Sequence, residues 1–286
     1  MTSIAMPLIE DLAANNNDKY GMLPLKFTWF EGQIAGHNPT MVKDGKRQLG
    51  MVKESGNGDK ILKPAQDGKR GEREVQFYHD VFVSGMNDPS LNDLRRLLPN
   101  FFGTRKIEIE AQESLFLVLE DVTCTFSLPA SIDIKIGKQT FGPDATEAKK
   151  LKEIETNPVQ GTLGYRVLGY RIAEQEDNTF KKDPKWRSEE NRMISAVQEF
   201  FDQAHDVHII KEQLLEKLGH IKKVAGKRRF HMYSSSILIV YENDRNCEQN
   251  VDVRMIDFSH VHPGMGLPDD NYLFGLNRLI ETIEEL

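Results

Sequence analysis

The sequence predicts a mixed α/β fold, an antiparallel meander near the N-terminus followed by a mixture of helices and strands. Three observations carry this. Short segments between Phe27 and Pro64 are broken by Gly36, Asp44-Gly45, Gly50 and Ser55-Gly56-Asn57-Gly58, the punctuation of an antiparallel meander with tight hairpins. Later segments carry apolar residues at helical spacing, and others are short apolar runs of strand length. A chain of 286 residues is also long enough for one large or two modest domains with a core.

The elements follow in order. Residues 1–22 are polar and Asn-rich, with Asn15-Asn16-Asn17-Asp18, and are expected to form a flexible tail. Phe27 to Phe30 reads as the first strand, and Lys60-Ile61-Leu62-Lys63-Pro64 closes the meander. From Arg73 to Phe82, Val75, Phe77, Tyr78, Val81 and Phe82 have the spacing of one helix face. Leu115 to Leu119 is a buried strand stopped by Glu120-Asp121. Thr146 to Glu155 can form a helix with Lys149 and Lys152 on one face and Lys150 turned away. Glu174 to Lys185 is polar, an expected exposed loop. Helices are then expected over Glu189 to Gln203, with Met193, Ile194, Val197, Phe200 and Phe201 on one face, and over His208 to Val224, with Ile209, Ile210, Leu214, Leu215, Leu218 and Ile221 on one face. Phe230 to Tyr241 and Val251 to Phe258 read as two strands joined by a polar loop, and Asn271 to Leu286 as a closing helix.

Charge and cysteine usage narrow the function. With 37 Lys and Arg against 44 Asp and Glu, the net charge is −7, and the pI is near 5.7. A polyanion binder held by overall charge, such as a generic nucleic-acid protein, is excluded, so any anionic ligand needs a local basic patch. One stands between Lys135 and Lys152, where Lys135, Lys138, Lys149, Lys150 and Lys152 face only Asp144 and Glu147. A second run, Lys217 to Arg229, has Lys217, Lys222, Lys223, Lys227, Arg228 and Arg229 and no acid; it reads first as a solvated helix end complementing the dipole. Cys124 and Cys247 are too few and too far apart for a disulfide framework or a zinc site, and suit a reducing compartment. The longest apolar runs have five residues, against ~20 for a membrane span, and Met1-Thr2-Ser3-Ile4 lacks the start of a signal peptide. The expectation is a monomeric cytoplasmic or nuclear protein.

The order of charged residues points to chemistry. Lys63 ends a strand, Glu74 lies in the following helix, Glu120-Asp121 follows a buried strand and Asp257 closes a late one. Two-lobed ATP-dependent kinases use this order: the lysine neutralises phosphates, the glutamate holds it, the segment after the strand meets adenine and the late aspartate takes Mg2+. Alone, Lys63 would read as a solvated surface cation. Neither a Gly-rich G-x-G-x-x-G, a His-Arg-Asp loop nor a P-loop is present, and Asp257 is followed by Phe258-Ser259.

The decisive stretch is Pro129-Ala130-Ser131-Ile132-Asp133-Ile134-Lys135-Ile136-Gly137. On a strand, Asp133 and Lys135 share one face while Ile132, Ile134 and Ile136 pack on the other, which sets a carboxylate beside an ammonium. The pattern P-x-x-x-D-x-K-x-G resembles the signature of the inositol polyphosphate kinase family. Further blocks resemble the family in the expected order: Gln33 to His37, Arg73-Glu74-Val75-Gln76-Phe77-Tyr78, Leu119 to Thr123, Leu163-Gly164-Tyr165-Arg166, Ser234-Ser235-Ser236-Ile237-Leu238, Met255-Ile256-Asp257-Phe258-Ser259-His260 and Asn271 to Leu276. Ala130 and Ser259 are mild departures that remove no charged group.

The resemblance implies an ATP-grasp or protein-kinase-like fold: N-lobe 23–122, hinge near 120–123, C-lobe 123–286 and a helical inositol-phosphate-binding insertion at about 143–170. It implies ATP and Mg2+ as cofactors and an inositol polyphosphate as substrate. Carried over residue by residue, Lys63 binds ATP phosphates with Glu74 as partner, and Glu120 and Val122 meet adenine through their backbones. Asp133 contacts the ribose or the reacting hydroxyl, Lys135 the transferred or acceptor phosphate, and Asp257, with Ser236 beside it, the metal. Lys149, Lys150, Lys152 and Arg166 hold the acceptor. The blocks resemble the multikinase branch most; a hexakisphosphate kinase making pyrophosphates and a non-catalytic inositol-phosphate scaffold are the alternatives.

Overall fold

The computed structural model describes residues 23–36, 42–43, 46–174, 178–227 and 229–286. The expected tail 1–22, His37, the Asp44-Gly45 turn and Arg228 lie outside the described residues. The chain divides into two compact units, one built from residues up to Ala65 together with Phe101–Asp121, the other from Gln66–Asn100 and Val122–Leu286. The expected first lobe ran without a break from 23 to 122; segment 66–100 instead folds with the second unit.

The first unit contains a five-stranded antiparallel sheet. Its strands are β1 (Phe27–Trp29), β4 (Val52–Glu54), β5 (Lys60–Pro64), β6 (Phe101–Ile109) and β7 (Gln112–Glu120), in the order β1-β4-β5-β7-β6. The short hairpin strands β2 (Val42–Lys43) and β3 (Lys46–Arg47) pair with each other. Period-two alternation places Phe27, Trp29, Val52, Leu62, Ile107, Ile109 and Phe116 in one apolar cluster with Leu23. Each such burial is worth about 1.5–3 kcal/mol. β6 and β7 turn over Glu110 and Ala111, both at positive φ (51° and 61°), the twist-matched form of a two-residue hairpin. Asp121, buried at the end of β7, is held by Lys53 Nζ at 2.5 Å.

The second unit is larger. Helix α1 (Lys69–His79) runs into a π-turn over Asp80–Ser84, and a short helix α2 (Asn92–Arg96) follows. β8 (Pro129–Ile136) leads to helices α3 (Glu147–Thr156) and α4 (Pro158–Leu163), then to β9 (Tyr165–Ala173) and β10 (Asn178–Lys181). Helices α5 (Glu190–Phe201) and α6 (Val207–Ala225) precede β11 (Phe230–Met232), β12 (Ser236–Glu242), β13 (Val251–Ile256) and β14 (Val261–Pro263), and α7 (Asp270–Glu284) closes the chain. The main sheet is antiparallel in the order β10-β9-β8-β12-β13, and β11 pairs with β14. β8 is therefore central, with Ile132, Ile134 and Ile136 fully buried.

The helical stripes read from the sequence face inward except at Ile209, which is exposed in the first turn of α6, and at Ile194 and Leu215, which are half-buried. Met193, Val197, Phe200 and Phe201 of α5 are buried, as are Ile210, Leu214, Leu218 and Ile221 of α6. Asp206 and Asp269 accept backbone N–H groups at the starts of α6 and α7. Among the described residues no helix is long and apolar enough to cross a membrane.

Four local expectations are revised. The strand expected over Phe230 to Tyr241 is two strands, because Ser234 takes a left-handed φ of 58° between them. β13 ends at Ile256, since Asp257 is also left-handed, at φ 66°. The expected loop Glu174 to Lys185 contains β10, an exposed edge strand paired with β9, and a 3-10 turn over Pro184–Arg187. The insertion expected over about 143–170 is helical only to Leu163, and Tyr165 onward belongs to the sheet. In the second basic run, Lys227 and Arg229 are paired with Asp93 at 2.6 Å and Asp88 at 2.8 Å, which leaves Lys222 and Lys223 exposed in the last turn of α6.

Three glycines from three separate sequence blocks meet behind β8. Gly137 N donates to Gly164 O at 2.8 Å, and a Cβ on Gly275 would lie 1.9 Å from Gly164 O and 2.6 Å from Gly137 N. Helix α7 can approach the strand ends this closely only without a side chain at that position.

Candidate active site

Lys135 lies near the C-terminal end of β8, opposite Ser236 on β12 and Arg166 on β9. Asp133, two residues back, is buried on the same strand. Lys135 Nζ donates to Ser234 Oγ at 2.6 Å. Burial pulls the Lys135 ammonium below the ordinary lysine range and Arg166 adds to this, while Asp257, Asp133 and Glu153 oppose it. One lysine is thus gathered with three carboxylates and a guanidinium. Arg166, buried as well, is drawn down to about 10 by burial and by Arg187, and so remains a cation at neutral pH.

Asp257 stands at the end of β13, in the left-handed conformation that aims its side chain out of the ladder. The next backbone N–H, of Phe258, donates to Glu74 Oε1 of α1 at 3.1 Å. Glu74 is fully buried there, and the rings of Phe77 and Phe258 stack at 4.3 Å beside it. Ser235 and Ser236 are buried, and their hydroxyls have no hydrogen-bond partner among the described residues. An orphaned hydroxyl on β12 and a carboxylate at the end of the paired β13 are hard oxygen donors of the kind a small divalent cation takes. No cluster of three or more His, Cys, Asp or Glu exists among the described residues that could cage a metal without further ligands.

Cations from three elements influence His260. Its imidazole is depressed to about 4, by burial first and then by the fields of Lys149, Arg70, Lys135 and Arg73. Four cations from α1, β8 and α3 therefore act on one uncharged ring. Such a group of cations, unfavourable when empty, is complementary to a ligand carrying several phosphates.

The sequence-predicted residues fall into three groups. Asp133, Lys135, Arg166, Ser236, Asp257 and Glu74 lie in the second unit around the ends of β8, β12 and β13. Lys149, on α3, acts on His260, whereas Lys150 pairs with Glu147 at 2.6 Å and Lys152 is exposed. Lys63 is on β5 opposite Leu117, Glu120 ends β7 opposite Lys60, and Val122 opens the second unit, buried with Phe126 and Val240. Sequence reasoning missed Arg70 and Arg73, and left His260 between packing and a supporting role. Their signals were a basic pair at i, i+3 on the helix that carries Glu74, and a histidine three residues after Asp257.

Comparisons with known proteins show the family and the fold. A family model described as inositol polyphosphate kinase matches residues 116–284. The chain is 30% identical over 292 residues to inositol polyphosphate multikinase beta of Arabidopsis thaliana, covering 90% of this chain and 92% of that protein. It is 29% identical over 281 residues to the alpha form of the same organism, covering 90% and 94%. Among solved structures, inositol phosphate multikinase Ipk2 of S. cerevisiae, in complex with ADP and Mn2+, superposes with a TM-score of 0.64 at 22% identity, covering 79% of this chain and 98% of that one.

Proposed function

The chain belongs to the inositol polyphosphate kinase family, and on that premise we propose that it transfers the γ-phosphoryl group of ATP to hydroxyls of inositol tris- and tetrakisphosphates, with Mg2+, as a multikinase. The observation that carries this reading is Lys135 on the central strand β8, two residues from buried Asp133, opposite Arg166 and Ser236 and hydrogen-bonded to Ser234, in a chain that matches the family model.

In the reaction, the acceptor hydroxyl oxygen bonds to the γ-phosphorus, the bond from the γ-phosphorus to the β–γ bridging oxygen breaks, ADP leaves, and the hydroxyl proton passes to solvent. There is little covalent work for the protein, so positioning and charge stabilisation supply the rate. Lys135, held by Ser234, neutralises charge on the migrating phosphoryl group or the acceptor. Asp133 accepts a hydrogen bond from a hydroxyl, of the nucleotide ribose or of the acceptor. By the family resemblance Lys63 meets the nucleotide phosphates, and Glu120 and Val122 offer backbone groups to adenine. Asp257 and Ser236 would hold the metal, which would supply neutralisation of the nucleotide phosphates. Arg166 and Lys149 grip the acceptor's phosphates, joined by Arg70 and His260; Lys150 and Lys152 meet them at the rim. Two exposed thiols, Cys124 and Cys247, fit a monomer of the reducing cytoplasm or nucleus.

Purified protein incubated with ATP, Mg2+ and a panel of inositol phosphates tests this reading. Turnover of tris- and tetrakisphosphates is expected. No turnover on any member would refute the kinase in favour of a binding scaffold, and activity confined to the hexakisphosphate would refute the multikinase assignment.

A further inference from the structure

Helix α3 is unusual among the helices of the second unit: none of its residues is buried, and Leu151 and Ile154 stay 59% and 56% exposed. No apolar face fixes its position, so polar ties at its ends must do so. At its C-terminal half, Thr140 Oγ1 donates to Glu153 Oε2 at 3.1 Å, and Asn157 Nδ2 reaches the Glu153 carbonyl at 3.2 Å. Just before its N-terminus stands Asp144.

Arg73 on α1 is the centre of the second tie. Its Nη2 donates to Asp144 Oδ2 at 2.9 Å, and its Nη1 lies 3.4 Å from His262 Nε2 on β14. The Asp144 Oδ1 atom is 3.5 Å from the same His262 nitrogen. Burial and Arg73 hold the imidazole below its ordinary value, which suits a neutral ring accepting from the guanidinium. Gly142 makes the same closure from the backbone side: a Cβ there would meet His262 Nε2 at 2.7 Å and Asp144 Oδ1 at 3.1 Å.

We infer that Asp144, tied to the Arg73 guanidinium that His262 also accepts from, is a positioning residue that sets the placement of α3 and of the lysine it carries toward the acceptor. This rests on the proposed inositol polyphosphate kinase activity for its consequence, but not for the tie itself. Lys149 and Glu153, one helical turn apart, are the α3 side chains whose fields reach His260, Lys135 and Arg166. A small displacement of α3 moves both out of register with the acceptor.

Neutralising Asp144 separates this role from simple charge. A carboxylate that only subtracts positive potential would, once replaced, let a polyanionic acceptor bind more tightly. A tie gives the opposite sign. In Asp144→Asn and Asp144→Ala, amide hydrogen exchange across residues 147–156 is expected to quicken about two- to fivefold, the size set by one exposed charge-assisted pair, with no change in α5 or α6. The acceptor KM is expected to rise while kcat and the ATP KM hold, and Asp144→Glu is expected to restore both readouts in part. Gly142→Ala, which drives a methyl group into His262, should reproduce the loosening. Unchanged exchange in Asp144→Ala, or a lowered or unaltered acceptor KM, would overturn the inference. A wild-type protein inactive on every inositol phosphate would refute the activity instead, and the exchange measurement on ligand-free protein would still judge the tie.

Discussion

Asp257 and His260 lie three residues apart and are expected to answer to different measurements. Asp257→Asn keeps shape and removes charge, so turnover should drop about 10²–10³-fold, with the thermal unfolding transition retained; a near-normal rate would mean that the metal is held elsewhere. His260 should titrate by NMR with a midpoint near 4 in the free protein. Its unfolded value is near 6.5, so between 6.5 and 4 the unfolded chain binds the extra proton. This histidine's share of stability is therefore full above 6.5, falls as pH drops toward 4 and is level below. Urea unfolding of wild type against His260→Asn reads it: the difference should move against the wild type over that window and nowhere else. A bound polyphosphate should raise the midpoint, because a nearby anion favours the charged ring. The D-x-K strand was legible at this scale because a two-residue period on one strand fixes a shared face. Arg70 and Arg73 were not, since a basic pair on a helix also has an ordinary solvated reading until His260 and Asp144 are seen beside it.

Elements were legible wherever burial writes a period into the sequence. α5, α6 and α7 carry one apolar stripe each, and their expected bounds fall within two residues of the observed ones. β10 gave no signal because all four of its residues are exposed and its existence rests on the ladder to β9. The break at Ser234 was equally silent, since a serine in the left-handed region looks like any serine in a strand. The glycine junction shows the converse case, three recognisable letters whose reason appears only in three dimensions. Gly275→Ala would press a methyl group onto backbone atoms of Gly164 and Gly137, which cannot swing aside as a side chain can. Destabilisation of about 1–3 kcal/mol is expected in urea titrations, with turnover falling as well, because Gly137 follows Lys135 by two residues. A stability within error of wild type would show that α7 can shift away at no cost.

For the whole molecule, a net charge of −7 and a local gathering of cations make opposite predictions about salt. If the overall charge governed encounter, added salt would screen repulsion and lower the acceptor KM. If these cations govern it, the KM should rise as ionic strength goes from about 0.05 to about 0.5 M, where the screening length shrinks from more than 10 Å to a few ångströms. We expect the rise, with kcat little changed, and steady-state kinetics at fixed pH decides between the two. The number of lobes could be read from the charged blocks, whereas their chain composition could not, because no local signal marks a segment that returns to the other unit. That return has a consequence for shortened forms of the protein. A fragment beginning at residue 116, where the family match starts, would retain Asp133, Lys135 and Asp257 and look catalytically complete on paper. It would have lost α1, and with it the carboxylate that receives the Phe258 N–H. Such a fragment is therefore expected to lack turnover, because nothing in it receives the Phe258 N–H beside Asp257.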